Sequence, residues 1–229
     1  MEYLFVKRFL AMPVVERQEL SWTDQMKRFL WEIAKANKQK LLNLTKADLL
    51  GLAELVGIKS LSLRHEPKTL SLIHAQEMIK RIDFFDSSMN KNGHGIAHAY
   101  VSFVRENQTL VLDLTTALIW QQSGSSDSSI WANGDQYARD LNQKRFAGYD
   151  DWRLPTLEEA MSLMEREQKN GDLYIDPIFD RTQRCIWTSD KESAGWRLLV
   201  GFYTGKCGRY IVGTGDDYVR AVRSGQSVI

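Results

Sequence analysis

The string Asp151-Trp152-Arg153-Leu154-Pro155-Thr156-Leu157-Glu158-Glu159 constrains this chain more than any other stretch. Pro155 has no backbone N–H and biases the residue before it toward extended backbone, so Trp152 to Leu154 read as an extended segment. Thr156 and Glu159 stand three apart, the spacing at which a hydroxyl accepts from the amide of the third residue and its carboxylate reaches back. A helix therefore starts at once, with Leu157, Ala160, Met161 and Met164 as its buried face. Extended chain turning into a capped helix within two residues belongs to a fold that mixes strands with helices.

Composition shifts along the chain. Residues 1–96 carry 15 Lys+Arg and 11 Asp+Glu, a net of +4, whereas the rest is −3, within 229 residues whose overall charge is +1. Five of the seven Trp (Trp120, Trp131, Trp152, Trp187, Trp196) lie in the second half. An apolar share of 43% can fill a core, which excludes a disordered chain. The near-zero balance argues against nucleic acid as the main partner. No apolar run approaches the about 18 residues that a membrane helix needs. Phe9 to Val15 follows Lys7 and Arg8 but contains Pro13 and runs into Glu16 without a cleavage site, so a cytoplasmic protein is expected.

The first half reads as helices. Ser21 can cap a segment with Met26, Phe29, Leu30 and Ile33 on one face, and Thr45 with Asp48 can cap a second through Leu49, Leu52, Ala53 and Val56 that stops at Gly57. A third places Pro67 near its first turn and Leu70, Ile73, Ala75, Met78, Ile79 and Ile82 along its inner stripe. Residues 1–85 are thus expected to form a small helical bundle, a module for self-association or for an adaptor partner. Residues 86–98, which include the polar run DSSMNKNGHG, read as a linker. His94 and His98 lie four apart, but Gly93 and Gly95 argue against a helix that would join them as metal ligands, so both are expected to be solvated.

Residues 99–229 read differently. Runs of β-branched and aromatic residues at YVSFV, TLVLDL and ALIW suggest short strands, the first two joined by a turn at Asn107-Gln108. A helix is expected from Trp131 to Leu141, with Tyr137, Ala138 and Leu141 spaced for burial. Within Trp196 to Phe202, strand alternation puts Trp196, Leu198, Val200 and Phe202 on one face and Arg197, Leu199 and Gly201 on the other.

Six motifs in register carry a resemblance. Asp113-Leu114-Thr115-Thr116 with Leu118 and Trp120, Trp131, Gly148 with Asp151 to Thr156, Ile175-Asp176-Pro177-Ile178-Phe179, Ile186-Trp187-Thr188-Ser189, and Val219-Arg220-Ala221-Val222-Arg223 follow in the order of the Lcl C-terminal domain family, named for a collagen-like bacterial adhesin. The resemblance spans about residues 100–223. It implies an α+β chain whose second half is a C-type-lectin-like domain, related to formylglycine-generating enzymes, with twisted antiparallel strands displaying variable loops. Many relatives are binding modules, including adhesins and targets of diversity-generating retroelements. Ala117 stands where the family usually has Gly, and Cys185 where an aromatic often precedes the Trp.

Catalytic chemistry finds little foothold. The related oxidases use a pair of cysteines, but Cys185 lies in an apolar run and Cys207 in the Gly205-Lys206-Cys207-Gly208 turn, so the first is expected to be buried and inert and the second exposed. Asp150-Asp151 and Glu158-Glu159 have structural explanations. Asp216-Asp217, in a Gly-rich loop, would contribute oxygens to Ca²⁺, though a hard cation needs about six. Arg220 and Arg223 are expected to pair with Asp113 or another acid. No catalytic set or resident metal is assigned.

Binding has more support. Between Trp187 and Tyr218 the chain interleaves aromatic and cationic residues with six Gly. The expected ligand surface comprises Tyr203, Lys206, Arg209, Tyr210, Asp216, Asp217 and Tyr218, since aromatics and arginines carry most recognition energy. The expected function is non-enzymatic recognition of a protein or glycan. The alternatives are an oxidase like the formylglycine-generating enzymes, a calcium-dependent lectin, or a bacterial defence or signalling adaptor acting through the helical half.

Overall fold

A computed structural model describes residues 60–215 and 217–224. The first two expected helices lie outside these residues, and so does Asp216. The described chain runs helix α1 (Leu72–Ile82), strands β1 (Tyr100–Arg105), β2 (Gln108–Asp113) and β3 (Leu118–Gln121), helix α2 (Trp131–Gln143), a 3-10 turn Phe146–Gly148, helix α3 (Leu157–Ser162), strands β4 (Cys185–Ser193), β5 (Trp196–Gly201) and β6 (Lys206–Ile211), and β7 (Val222–Ser224). No helix among the described residues is long and apolar enough to cross a membrane.

Two antiparallel sheets result, one in the order β1-β2-β3-β7 and one in the order β4-β5-β6. The first hairpin turns at Glu106-Asn107, both left-handed, one residue before the expected position. The chain from Asp217 to Ser224 stitches the sheets together: Tyr218 bridges Ile186 of β4, and Val222 pairs with Trp120 of β3 and bridges Arg153. The string around Pro155 folds as its chemistry demands. Thr156 Oγ1 accepts from the Glu159 amide at 3.2 Å, Glu159 Oε2 accepts from the Thr156 amide at 2.9 Å, and Leu157, Ala160 and Met161 are buried.

Ala117 has φ +56°, which explains why glycine suits that site between β2 and β3. Left-handed backbone costs an L-residue about 1–2 kcal/mol. Burial of the Ala117 methyl in the cluster with Leu114 and Ile119 offsets part of that cost.

Helix α1 starts later than its apolar stripe suggests. Residues 68–70 stay extended because Thr69 bridges Lys191, with Leu70 donating to the Lys191 carbonyl and Lys191 to that of Lys68. Ser71 then caps the helix by accepting from His74 N. Ala75, Met78 and Ile79 pack with Leu157, Ala160, Met161, Ile186 and Val200 in one core cluster, while Ile73 points to solvent.

Residues 86–98 differ from the expected spacer. Asp86 is fully buried; its carboxylate accepts from the amides of Ser88, Met89 and Cys207, and Ser87 ties to the carbonyls of Thr204 and Gly205. His94 is exposed beside Asp83, as expected. His98 is a correction: its side chain is buried between Asp113 and the Ser162 carbonyl. The buried carboxylate Asp113 needs a donor there, and glycine-rich flanks let the chain dip inward to supply one.

The arginines divide. Arg223 pairs with an acid as expected, Asp151 rather than Asp113, through two hydrogen bonds of 2.6 and 3.0 Å, whereas Arg220 departs from the expectation. Arg220 is buried without a carboxylate partner among the described residues. It donates to the carbonyls of Gln122 and Asp180 and to Gln183 Oε1, with Phe179 beneath its guanidinium. Burial pulls its pKa down to about 9.

Candidate recognition surface

The expected ligand surface centres on β6 and the turn that enters it. Residues 202–205 make that turn, with Gly205 at φ +67° packed against Tyr174 and Phe85. Ser87 anchors it through N–H to the Gly205 carbonyl at 2.8 Å and Oγ to the Thr204 carbonyl at 2.9 Å. Tyr203 is carried outward on this fixed base and is 46% exposed. The Arg184 guanidinium lies 5.5 Å from its ring centre. Arg184 is itself held by Asp172 through two hydrogen bonds of 3.1 and 2.5 Å. That hydrogen bonding lowers the Asp172 carboxyl to about 2.

Strand alternation divides the remaining residues. Cys207 packs in the cluster of Ile186, Leu198 and Val200, and Arg209 lies opposite Leu198 on that face. Its guanidinium is clamped by Glu192 at 2.5 Å and lies 4.4 Å from the Trp196 ring centre. Lys206 and Tyr210 belong to the other face, the one whose inner part holds Cys185, Trp187 and Leu199. Tyr210 meets Trp187 edge-to-face at 6.0 Å, and its ring lies so close to Gly215 that a side chain there would meet it at 2.9 Å. The charge of Asp217, followed by partial burial, raises the Tyr210 hydroxyl above its ordinary pKa.

Lys206 and Tyr210 therefore share one face of β6, with Tyr203 in the turn at its start and the Asp217 charge acting on the Tyr210 hydroxyl. Arg209 projects from the opposite face. Asp217 is fixed by paired backbone hydrogen bonds with Ser129 of 2.9 and 3.1 Å. Tyr218 is half-buried, its amide and carbonyl engaged by Cys185 and Trp187. Both faces of β5 are covered, for Arg197 and Leu199 are buried as well as Leu198 and Val200. Arg197 lies 4.3 Å from the ring centre of Trp131 on α2.

Sequence reasoning missed Ile211 and Val212, exposed at 49% and 41% beside Tyr210. A signal was present: three consecutive large apolar residues before Gly213 cannot all point inward on a strand of period two. It also missed Arg184 and Asp172, whose meeting across 12 residues leaves no local trace.

The cysteines are settled by the same register. Cys185 and Cys207 lie on opposite faces of the sheet, and both are buried; Cys207 is in β6 rather than an exposed turn. Burial pushes the Cys207 thiol up to about 12, and burial with the Asp217 carboxylate pushes Cys185 well above its ordinary value. Two thiols separated by a sheet cannot share one copper ion. Among the described residues, no three His, Cys, Asp or Glu side chains are placed to hold a metal.

Two antiparallel sheets with few helices, joined by the segment from Asp217 to Ser224 and carrying an exposed tyrosine on a braced turn, define a mixed α/β domain. The profile of the Lcl C-terminal domain matches residues 109–223, and the chain belongs to that family. No curated protein matches it.

Proposed function

We propose that this protein is a non-enzymatic recognition protein with a C-type-lectin-like display domain, and that Tyr203, Lys206 and Tyr210 receive a protein or glycan ligand. One observation carries the reading. Among the described residues, four of the six exposed large apolar side chains (Tyr203, Tyr210, Ile211, Val212) fall between the turn that enters β6 and the residue that follows it, and the entering turn and the start of β6 are fixed by Ser87 and Asp86. Clustered apolar exposure on a rigid base marks a contact surface, because such a site loses little conformational entropy on binding. Asp217 flanks the patch as an acidic group and Lys206 as a basic one, which gives a ligand its orientation.

The helical half is proposed as an adaptor that couples recognition to a partner. Opposed thiols give no support to the oxidase alternative.

Screening the full chain on a printed glycan array and against a displayed random-peptide library tests the reading. Ligands so selected are expected to lose at least about tenfold in affinity to a Tyr203→Ala/Tyr210→Ala double variant, the loss of one good aromatic anchor or more. Ligands that bind the double variant as well as the parent would remove this surface from consideration.

A further inference from the structure

The buried histidine outside the recognition surface carries an inference of its own. His98 lies two residues before β1, and its side chain is 3% exposed. Nε2 lies 2.7 Å from the carbonyl oxygen of Ser162. A carbonyl can only accept, so Nε2 carries hydrogen. Nδ1 lies 2.8 Å from Asp113 Oδ2. Asp113 also accepts the Thr115 amide on Oδ1 and the Thr116 hydroxyl on Oδ2, so donors surround its carboxylate. An imidazole between two acceptors satisfies both only with hydrogen on both nitrogens.

We propose that His98 resides in the folded protein as an imidazolium, paired with the Asp113 carboxylate, and that this buried pair is a proton-dependent latch holding residues 60–99 to the family domain. The connection to those residues is explicit. Thr115, whose amide Asp113 accepts, takes the Leu61 amide on its carbonyl at 2.8 Å. Its Oγ1 donates to the Ala97 carbonyl and accepts the Ala99 amide. Loss of the His98 charge thus weakens one network that holds both the strap beginning at Leu61 and the entry to β1.

The groups around the ring favour the charge. Tyr100 stacks on it at 4.7 Å and is neutral, its hydroxyl driven well above the ordinary value by burial and then by Asp113. Glu165, beyond α3, adds negative potential; Asp176 and Arg220 act on Tyr100 from the far side and oppose each other. Burial works against the cation, yet the Asp113 charge and hydrogen bond, the Ser162 carbonyl and Glu165 together outweigh it and raise the His98 pKa. A raised folded value means that the latch is fully closed below the unfolded value of about 6.5 and weakens as pH climbs through the folded value. Between those two points one proton is lost on opening, so the latch constant falls about tenfold per pH unit.

Two measurements on the full chain test this. Nitrogen-15 spectra of the histidine rings should show both His98 nitrogens protonated at neutral pH, with a midpoint above the ordinary histidine value of about 6.5. Amide exchange, corrected for its intrinsic pH dependence, should show Leu61, Ala99 and Thr115 losing protection about tenfold per pH unit above about 6.5, and His98→Gln should abolish that slope. A His98 ring carrying one hydrogen at neutral pH would overturn the charge assignment even if the glutamine variant does not fold. Protection that stays constant while the ring titrates would overturn the latch.

Discussion

Arg64 and Asp190, 126 residues apart, meet in a forked pair with Nη1 2.9 Å from Oδ1 and Nη2 2.6 Å from Oδ2. Asp190 is wholly buried and also accepts the amides of Lys68 and Leu157, so one carboxylate joins the strap, β4 and the start of α3. Glu158 accepts the Arg64 amide, and Thr156 donates to the Arg64 carbonyl.

Arg64→Ala should cost about 3–5 kcal/mol, because it strands a buried carboxylate without its cation. Urea denaturation of parent and variant measures this. Arg64→Lys should recover part of the loss, since it restores charge but not the fork. A loss under about 1 kcal/mol for Ala would mean that the two backbone amides alone satisfy Asp190.

Asp86→Ala should destabilise by about 2–4 kcal/mol, since it leaves the buried Cys207 amide and two local amides without their acceptor. A chain beginning at residue 99 should lose the cooperative transition and be cut rapidly by protease. Survival of that shortened chain with an unchanged melting temperature would show that residues 60–98 contribute nothing to the family domain.

Neither cysteine should react with a disulfide reagent while the protein is folded. With the Cys207 thiol at about 12, its thiolate fraction at pH 8 is on the order of 10⁻⁴, and burial excludes the reagent further. Labelling should track global unfolding in urea, and oxidation should yield no intramolecular bridge. A thiol that labels within seconds in native buffer would contradict this.

Asp172 should titrate near 2 by carbon-13 NMR of its carboxyl, because hydrogen bonding to Arg184 favours the charged form. A lowered folded value contributes stability above the ordinary carboxylate range and loses it as pH falls toward 2. Arg184→Ala should raise the midpoint toward that ordinary range, with Arg181 still holding part of the shift, and remove the guanidinium from the Tyr203 ring.

The fold was most legible where local chemistry is self-sufficient. Thr156 and Glu159 declare a capping box in four residues, and the β2 and β3 runs declare themselves by composition. Long-range pairing was not legible: nothing near His98 announces Asp113 or Ser162, and Arg223 meets Asp151 across 72 residues. Gly- and Asn-rich chain from Asp86 to Gly95 looks like a spacer because its short polar side chains find their partners among backbone groups distant in sequence, the Cys207 amide for Asp86 and the Thr204 carbonyl for Ser87, which composition does not encode. The site was legible in part. Lys206 and Tyr210 share one face of β6 with Tyr203 at its start, but Arg209 and Tyr210, adjacent in sequence, leave β6 on opposite sides. Recognising that division required knowing which way Cys207 faces.

Residues 68–70 lie along the outer flank of β4, and Asp86 and Ser87 occupy β6 where it leaves the turn. A three-stranded ribbon with bare flanks would be an invitation to stack with its neighbours into fibres. With the chain's own arm seated along β4 and at the start of β6, those stretches of main chain are closed to another molecule, so side chains on the adjoining turn can be exchanged for stickier ones at smaller risk of precipitation.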